Sequence, residues 1–86
     1  MYSKSKKQYK ESQKYLAGGV SSHFRMIFHP VPLTYKFAKG SKLTDIDGNT
    51  YIDYALAAGP IVLGHAPKEV LTAVKNSLNK GQLYYG

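Results

Sequence analysis

Two residues near the N-terminus carry side chains suited to binding an anion, Ser22 and Arg25. Arg25 is the only arginine among 12 basic residues in the 86-residue chain. Its planar guanidinium can bind a carboxylate through two parallel hydrogen bonds, and Ser22 offers a hydroxyl donor three positions earlier. An ordinary surface arginine would show the same spacing. The sequence therefore leaves two hypotheses for Arg25, an anion site or a solvated charge.

The run Asp45-Ile46-Asp47-Gly48-Asn49 invites comparison with a calcium-binding loop. An EF-hand loop requires glycine at its sixth position and glutamate at its twelfth. Here glycine is fourth, and the twelfth residue is Leu56. Because Asp-Gly tolerates positive φ in a tight turn, the run is predicted to be a β-hairpin turn without a metal.

The other reactive residue types form no catalytic motif. The three histidines, His23, His29 and His65, include no pair spaced for a helical zinc site, and the chain has no cysteine. Ser21 and Ser22 precede His23 directly, but adjacency in sequence does not establish a nucleophile and its base. Neither a phosphate loop nor a dinucleotide fingerprint is present. We therefore assign no catalytic residue and no metal ligand.

Two helices are predicted to flank the rest of the chain. Residues 5–16 lack Gly and Pro and are rich in Lys and Gln, which favours a helix that ends at Gly18-Gly19. A second helix is predicted to open at Pro67 and to stop at Gly81. Its apolar residues recur at helical spacing, at Val70, Leu71, Val74 and Leu78.

Three short strands are predicted between the helices, at residues 34–38, 42–46 and 50–54, joined by turns at Lys39-Gly40-Ser41 and Asp47-Gly48. The fold class is therefore α+β: an N-terminal helix, a three-stranded antiparallel meander and a second helix. The apolar stretch 55–63 is interrupted by Gly59-Pro60. Because an exposed apolar patch of this length promotes association, we expect another part of the protein to pack against it.

Length and composition restrict the chain to one small domain with a thin core, at 9.5 kDa. We divide it into residues 1–32, a helix and the loop that follows it, and residues 33–86, the meander with its helix. No stretch is long and apolar enough to span a membrane, and the basic N-terminus lacks the apolar region of a secretory signal. The expected location is the cytoplasm.

The net charge of +7 is concentrated in the first part of the chain. Residues 1–32 have six basic residues and one acidic residue, whereas residues 33–86 have six and four. A free-standing basic module that binds nucleic acid or an acidic partner is thus an alternative function. Lysine in place of arginine suits a solvated helix face better than phosphate recognition, so we do not expect a nucleic-acid partner.

Four blocks of the sequence resemble, in order and spacing, the N-terminal part of class III pyridoxal-phosphate-dependent aminotransferases. The resemblance covers residues 8–86 and is strongest to the glutamate-1-semialdehyde 2,1-aminomutase branch. The blocks are Tyr15-Leu16-Ala17-Gly18-Gly19-Val20-Ser21-Ser22 with Arg25, Ala38-Lys39-Gly40-Ser41 with Asp45 to Tyr54, Gly59-Pro60 with Leu63-Gly64-His65-Ala66-Pro67, and Glu69-Val70 with Ala73-Val74.

The resemblance implies the type I fold of pyridoxal-phosphate enzymes, a homodimer and a small-molecule amino acid substrate. In the aminomutase branch, the residues that match Ser22 and Arg25 help to hold the substrate carboxylate. The chain departs from the pattern at His23, where proline is usual, and at Ala58, where the branch has a tryptophan. The second departure favours a general amino-acid transaminase over a strict aminomutase.

The cofactor machinery of the family has no match in these residues. The lysine that forms a Schiff base with pyridoxal phosphate, the aspartate at the pyridine nitrogen and the phosphate loop would all follow Gly86. The expectation is therefore the N-terminal portion of a pyridoxal-phosphate aminotransferase or aminomutase. It would contribute the carboxylate site but not the cofactor site, and would be inactive alone.

Overall fold

The computed structural model describes residues 1–27 and 30–81. It has two helices and three strands: α1 (Ser3–Ser12), β1 (Tyr35–Lys39), β2 (Lys42–Asp45), β3 (Thr50–Ile52) and α2 (Lys68–Leu78). Two short 3₁₀ turns, Ala17–Gly19 and His23–Ile27, lie between α1 and β1. The α+β class is confirmed, whereas His29 and the end of the second predicted unit (82–86) lie outside the described residues.

The three strands form an antiparallel sheet in the order β1-β2-β3. The turn between β2 and β3 is held by Gly48 N donating to Asp45 O (3.1 Å) and Asp45 N donating to Asn49 O (3.0 Å). Gly48 has a φ of 92°, and no positive φ occurs at Asp47. The predicted hairpin is confirmed, and three residues lie between its hydrogen-bonded pair Asp45 and Asn49, with Gly48 at the position of positive φ.

Helix α1 is shorter and earlier than predicted. Its first turn is capped by a residue that is remote in sequence. The Asp47 carboxylate accepts hydrogen bonds from Lys4 N (2.7 Å) and Ser5 N (2.9 Å). A carboxylate at a helix N-terminus satisfies otherwise unpaired amides and complements the helix dipole. The helix ends at Ser12, where the next turn tightens through Tyr15 N donating to Ser12 O (3.1 Å).

Helix α2 begins at Lys68, with Pro67 as the preceding extended residue. None of its residues is buried, and its apolar stripe of Val70, Leu71, Val74 and Leu78 is exposed. In the described part of the chain, no helix is long and apolar enough to cross a membrane.

The molecule is open rather than compact. Val31 is the one buried apolar residue among those described, at 5% exposure. The accessible surface of 7278 Å² exceeds the ~5,000 Å² expected for a folded monomer of this mass. The radius of gyration is 16.0 Å, against about 12 Å for a compact chain of this length. Hydrogen bonds therefore order this structure more than a hydrophobic core does.

Candidate functional site

A shallow cavity of about 170 Å³ lies beside α1, against the segment that leads into β1. Its polar lining comes from three parts of the chain. These residues are Tyr9 and Ser12 of α1, Ser21 and Arg25 of the connecting segment, and Thr34 before β1. A guanidinium among hydroxyl groups is a suitable environment for a small anion.

A glycine corner sets the path of the segment that carries Arg25. Gly18 and Gly19 have φ values of 66° and 75°, which L-residues with side chains adopt at a cost. A Cβ on Gly19 would lie 2.7 Å from ring atom Cε2 of Tyr9. The Tyr9 hydroxyl in turn donates to Gly18 O (3.2 Å). The two glycines thus pack closely onto α1, and this sets the position from which the segment carrying Arg25 continues.

Ser22 and Arg25 lie in one turn of backbone, since Arg25 N donates to Ser22 O (3.0 Å). Arg25 is exposed and lines the cavity, whereas Ser22 is half-buried and does not. Ser21 lines it instead. Sequence reasoning gave no role to Ser21, Tyr9 or Thr34, because their meeting depends on how α1 folds back onto the segment before β1.

Four of the five acidic side chains have partners other than Arg25. Glu11 pairs with Lys14 at 2.7 Å. Asp45 and Asp47 accept hydrogen bonds from the hairpin and from α1, and Asp53 pairs with His65. Glu69 lies in the first turn of α2. Within the described residues no ion pair includes Arg25, so its charge is available to an external anion.

Asp45 is the centre of the most tightly bonded cluster. It is fully buried. One oxygen accepts from Asp47 N (3.0 Å) and Asn49 N (2.8 Å), and the other from Asn49 Nδ2 (2.9 Å) and the Tyr51 hydroxyl (2.9 Å). Burial acts to raise the pKa of Asp45, but these hydrogen bonds outweigh it and lower the pKa. Burial also raises the pKa of Tyr51, and the bond to Asp45 adds to that shift.

Asp53 and His65 form a second polar pair at the end of β3. Their Oδ2 and Nε2 atoms are 2.6 Å apart. The other Asp53 oxygen accepts from Ala55 N (2.9 Å) and Leu56 N (3.0 Å). The hydrogen bond from His65, followed by that from Leu56 N, lowers the pKa of Asp53. The backbone of His65 also pairs with Gly40 through two bonds of 2.8 and 2.9 Å.

The loop that this pair closes contains unusual backbone. Leu56, Ala57 and Ala58 have φ values of 50°, 53° and 66°, followed by Gly59 at 110°. Left-handed conformation costs roughly 1 kcal/mol for each residue with a side chain. The interruption at Gly59-Pro60 is predicted from the sequence, whereas the left-handed backbone of the three residues before it is not. The contact between Asp53 and His65 joins the two ends of this loop.

Comparison with known proteins shows what this chain is similar to. No protein-family model matches the chain. It is 50% identical over 80 residues to a glutamate-1-semialdehyde 2,1-aminomutase of Methanobrevibacter smithii, covering 93% of this chain and 19% of that protein. It is 52% identical over 81 residues to the enzyme of that name from Methanocaldococcus jannaschii, covering 94% of this chain and 19% of the relative.

The fold agrees with the sequence match. The structure superposes with a TM-score of 0.86, at 30% identity, on a glutamate-1-semialdehyde aminomutase from Pseudomonas aeruginosa, covering 94% of this chain and 18% of that one. A transaminase with bound pyridoxal phosphate shares the fold with a TM-score of 0.88 at 24% identity, over 100% of this chain and 20% of that chain. The chain belongs to the class III aminotransferase family, in its aminomutase-like branch. It spans about a fifth of the length of the curated relatives that it matches.

The cofactor of this family does not fit the residues present in the chain. A Schiff base with pyridoxal phosphate needs a lysine amine held in a pocket that excludes water. All eleven lysines are exposed to solvent. Residues 1–27 and 30–81 also contain no group of three or more His, Cys, Asp or Glu side chains that could hold a metal. Arg25, which lines the cavity, is suited to binding an anion.

Proposed function

We propose that this chain supplies the substrate-carboxylate site of a pyridoxal-phosphate-dependent aminomutase or aminotransferase that acts on an amino acid. Arg25 binds the carboxylate, and Ser22 donates a second hydrogen bond to it. The observation that carries the proposal is the position of Arg25, which lines a cavity with no acidic partner among the described residues. Family membership supports an amino acid as the source of the anion, and glutamate-1-semialdehyde is the first substrate to test.

Other parts of the polypeptide complete this enzyme. Residues 1–32 form the substrate side, and residues 33–86 lead toward a large domain that holds pyridoxal phosphate, which acts as an electron sink when bound. The exposure of every lysine supports a cofactor site built elsewhere. We propose a cytoplasmic homodimer, in which this segment alone is inactive.

Arg25 and Ser22 act by orientation. A guanidinium and a hydroxyl that hold a carboxylate fix one end of the substrate, which reduces the freedom that must be lost before reaction at the other end. The Gly18-Gly19 corner keeps the segment against α1, so the two donors stay in one turn.

The test uses the complete protein that carries this chain, with glutamate-1-semialdehyde as substrate. Replacing the guanidinium removes a charge-assisted interaction worth about 1.5–3 kcal/mol, so Arg25→Ala is expected to raise KM by roughly 10- to 100-fold. Arg25→Lys is expected to recover only part of this loss, because lysine cannot bind in two parallel bonds. Ser22→Ala is expected to have a smaller effect in the same direction.

Lys36→Ala is the matched control, because Lys36 is an exposed cation on β1 away from the cavity. A carboxylate role also predicts selectivity. An analogue in which the carboxylate is replaced by a neutral amide is expected to bind equally to the parent protein and to the Arg25→Ala protein. If Arg25→Ala weakened the binding of the amide as much as that of the carboxylate, the proposal would be wrong.

The alternative of a basic binding module depends on the lysines of residues 1–14. They are exposed, as expected for a solvated helix face, and Lys14 already pairs with Glu11. The carboxylate site is therefore the one function that we propose for this chain.

A further inference from the structure

The cavity beside Arg25 contains more hydroxyl groups than the proposed function uses. Four lie in its lining, on Tyr9, Ser12, Ser21 and Thr34. Two of them already donate to backbone carbonyls. The Tyr9 hydroxyl donates to Gly18 O (3.2 Å), and Ser12 Oγ donates to Gln8 O (3.0 Å). These two groups stabilise α1 and its turn rather than face a ligand.

The other two hydroxyls have no such partner. Within residues 1–27 and 30–81, neither Ser21 Oγ nor Thr34 Oγ1 forms a hydrogen bond, and Ser21 is exposed. The backbone of Thr34 is fixed at both ends, since its N–H donates to Ser5 Oγ (3.4 Å) and its carbonyl accepts from Ile46 N (2.9 Å). Thr34 is therefore held at the cavity by α1 and by the hairpin.

The size of the cavity limits what can enter it. At about 170 Å³, it falls below the ~300 Å³ at which small-molecule sites usually begin. A carboxylate group fits this space, and the rest of a ligand would extend outward. An ionised carboxylate has about four acceptor positions, of which a guanidinium fills two. One or two hydroxyl donors are needed to satisfy the others.

We propose that Ser21 is a further substrate-binding residue, whose hydroxyl donates to the carboxylate held by Arg25 in the cavity that Thr34 also lines. This inference rests on the proposed function and deepens it. It adds a donor from the residue beside Ser22, which is half-buried and does not line the cavity. The ligand class is a carboxylate-bearing amino acid.

The experiment compares single-residue variants in the complete protein. Ser21→Ala is expected to raise KM for glutamate-1-semialdehyde by about 3- to 10-fold, the loss typical of one ordinary hydrogen bond. Ser21→Thr keeps the hydroxyl and is expected to restore KM to within about 2-fold of the parent value. Ser41→Ala is the matched control, since Ser41 is an exposed serine in the turn between β1 and β2.

A double-mutant cycle distinguishes binding from a structural effect. If both residues hold the same carboxylate, Ser21→Ala is expected to change KM less than 2-fold when Arg25 is already alanine. A change equal to that in the parent background would overturn the inference. A large effect of Arg25→Ala with none of Ser21→Ala would also overturn it, while the proposed function would stand. No effect of either substitution would contradict the proposed function itself.

Discussion

The β2–β3 hairpin and the Arg25 cavity use polar residues in opposite ways. In the hairpin, Asp45 is fully buried and accepts four hydrogen bonds. In the cavity, Arg25 and Ser21 are exposed and have no side-chain partner within the described residues. Buried polar groups must be satisfied inside the protein, whereas groups that bind a ligand must be left available. The first arrangement stabilises the fold, and the second is suited to recognition.

The loop between β3 and α2 lies between these extremes. Asp53 satisfies two loop amides and His65, yet Tyr54, Val62 and Leu63 remain exposed. The ends of this loop are joined by the contact between Asp53 and His65, while its apolar side chains are exposed to solvent. Substitutions in the three regions should therefore affect stability in a defined order.

The largest loss of stability is expected for Asp45→Ala. The substitution leaves four donors without an acceptor, on Asp47, Asn49 and Tyr51. A thermal melt followed by circular dichroism should show Tm lowered by more than about 10 °C. Asp45→Asn keeps an acceptor and should lose less. Equal melting of Asp45→Ala and the parent would contradict the role given to this cluster.

A smaller and more local effect is expected for Asp53→Ala. Removing the carboxylate frees the Ala55 and Leu56 amides and the His65 ring. Hydrogen exchange should accelerate about 10-fold or more at these two amides, with little change in the β2–β3 hairpin. His65→Gln is the companion variant, and it should accelerate exchange less because the two loop amides keep their acceptor. Uniform acceleration across the chain would show that the pair supports the whole fold instead.

The start of α1 should be weakened by acid and should be unaffected near neutral pH. Burial acts to raise the pKa of Asp47, but bonds from Lys4 and Ser5 outweigh it and lower the pKa. A lowered folded-state pKa gives stability that is present above the unfolded value of about 3.9 and lost as pH falls through the folded value. The amide signals of Lys4 and Ser5, followed by NMR from pH 6 to 2, should report this loss. In Asp47→Asn the same signals should not titrate.

The smallest effect on stability is expected for Arg25→Ala, although a large increase in substrate KM is expected for the same variant. An exposed side chain without a partner among the described residues contributes within about 0.5 kcal/mol to the free energy of unfolding. Urea unfolding of the variant and the parent should give midpoints that agree within error. A strong destabilisation would show that Arg25 stabilises the fold and would weaken its assignment to a ligand.

Much of the local structure follows from short-range rules. The apolar spacing in Val70, Leu71 and Val74 predicts α2, and alternation with an Asp-Gly turn predicts the meander. The start of α1 at Ser3 was not predictable in this way, because its cap comes from Asp47, more than forty residues away. The left-handed run that begins at Leu56 was not predictable either, because it lies in a loop whose ends are joined by the contact between Asp53 and His65.

The α+β class, the order of the elements and the family are all predictable from the amino-acid sequence, because helix spacing, strand alternation and motif blocks are properties of neighbouring residues. Arg25 also stands out there as the one arginine of the chain. Three features become visible only in the folded chain: Asp47 caps α1, Asp53 pairs with His65, and Ser21 rather than Ser22 lines the cavity with Arg25. Each of these depends on contacts between distant segments, which no local propensity encodes.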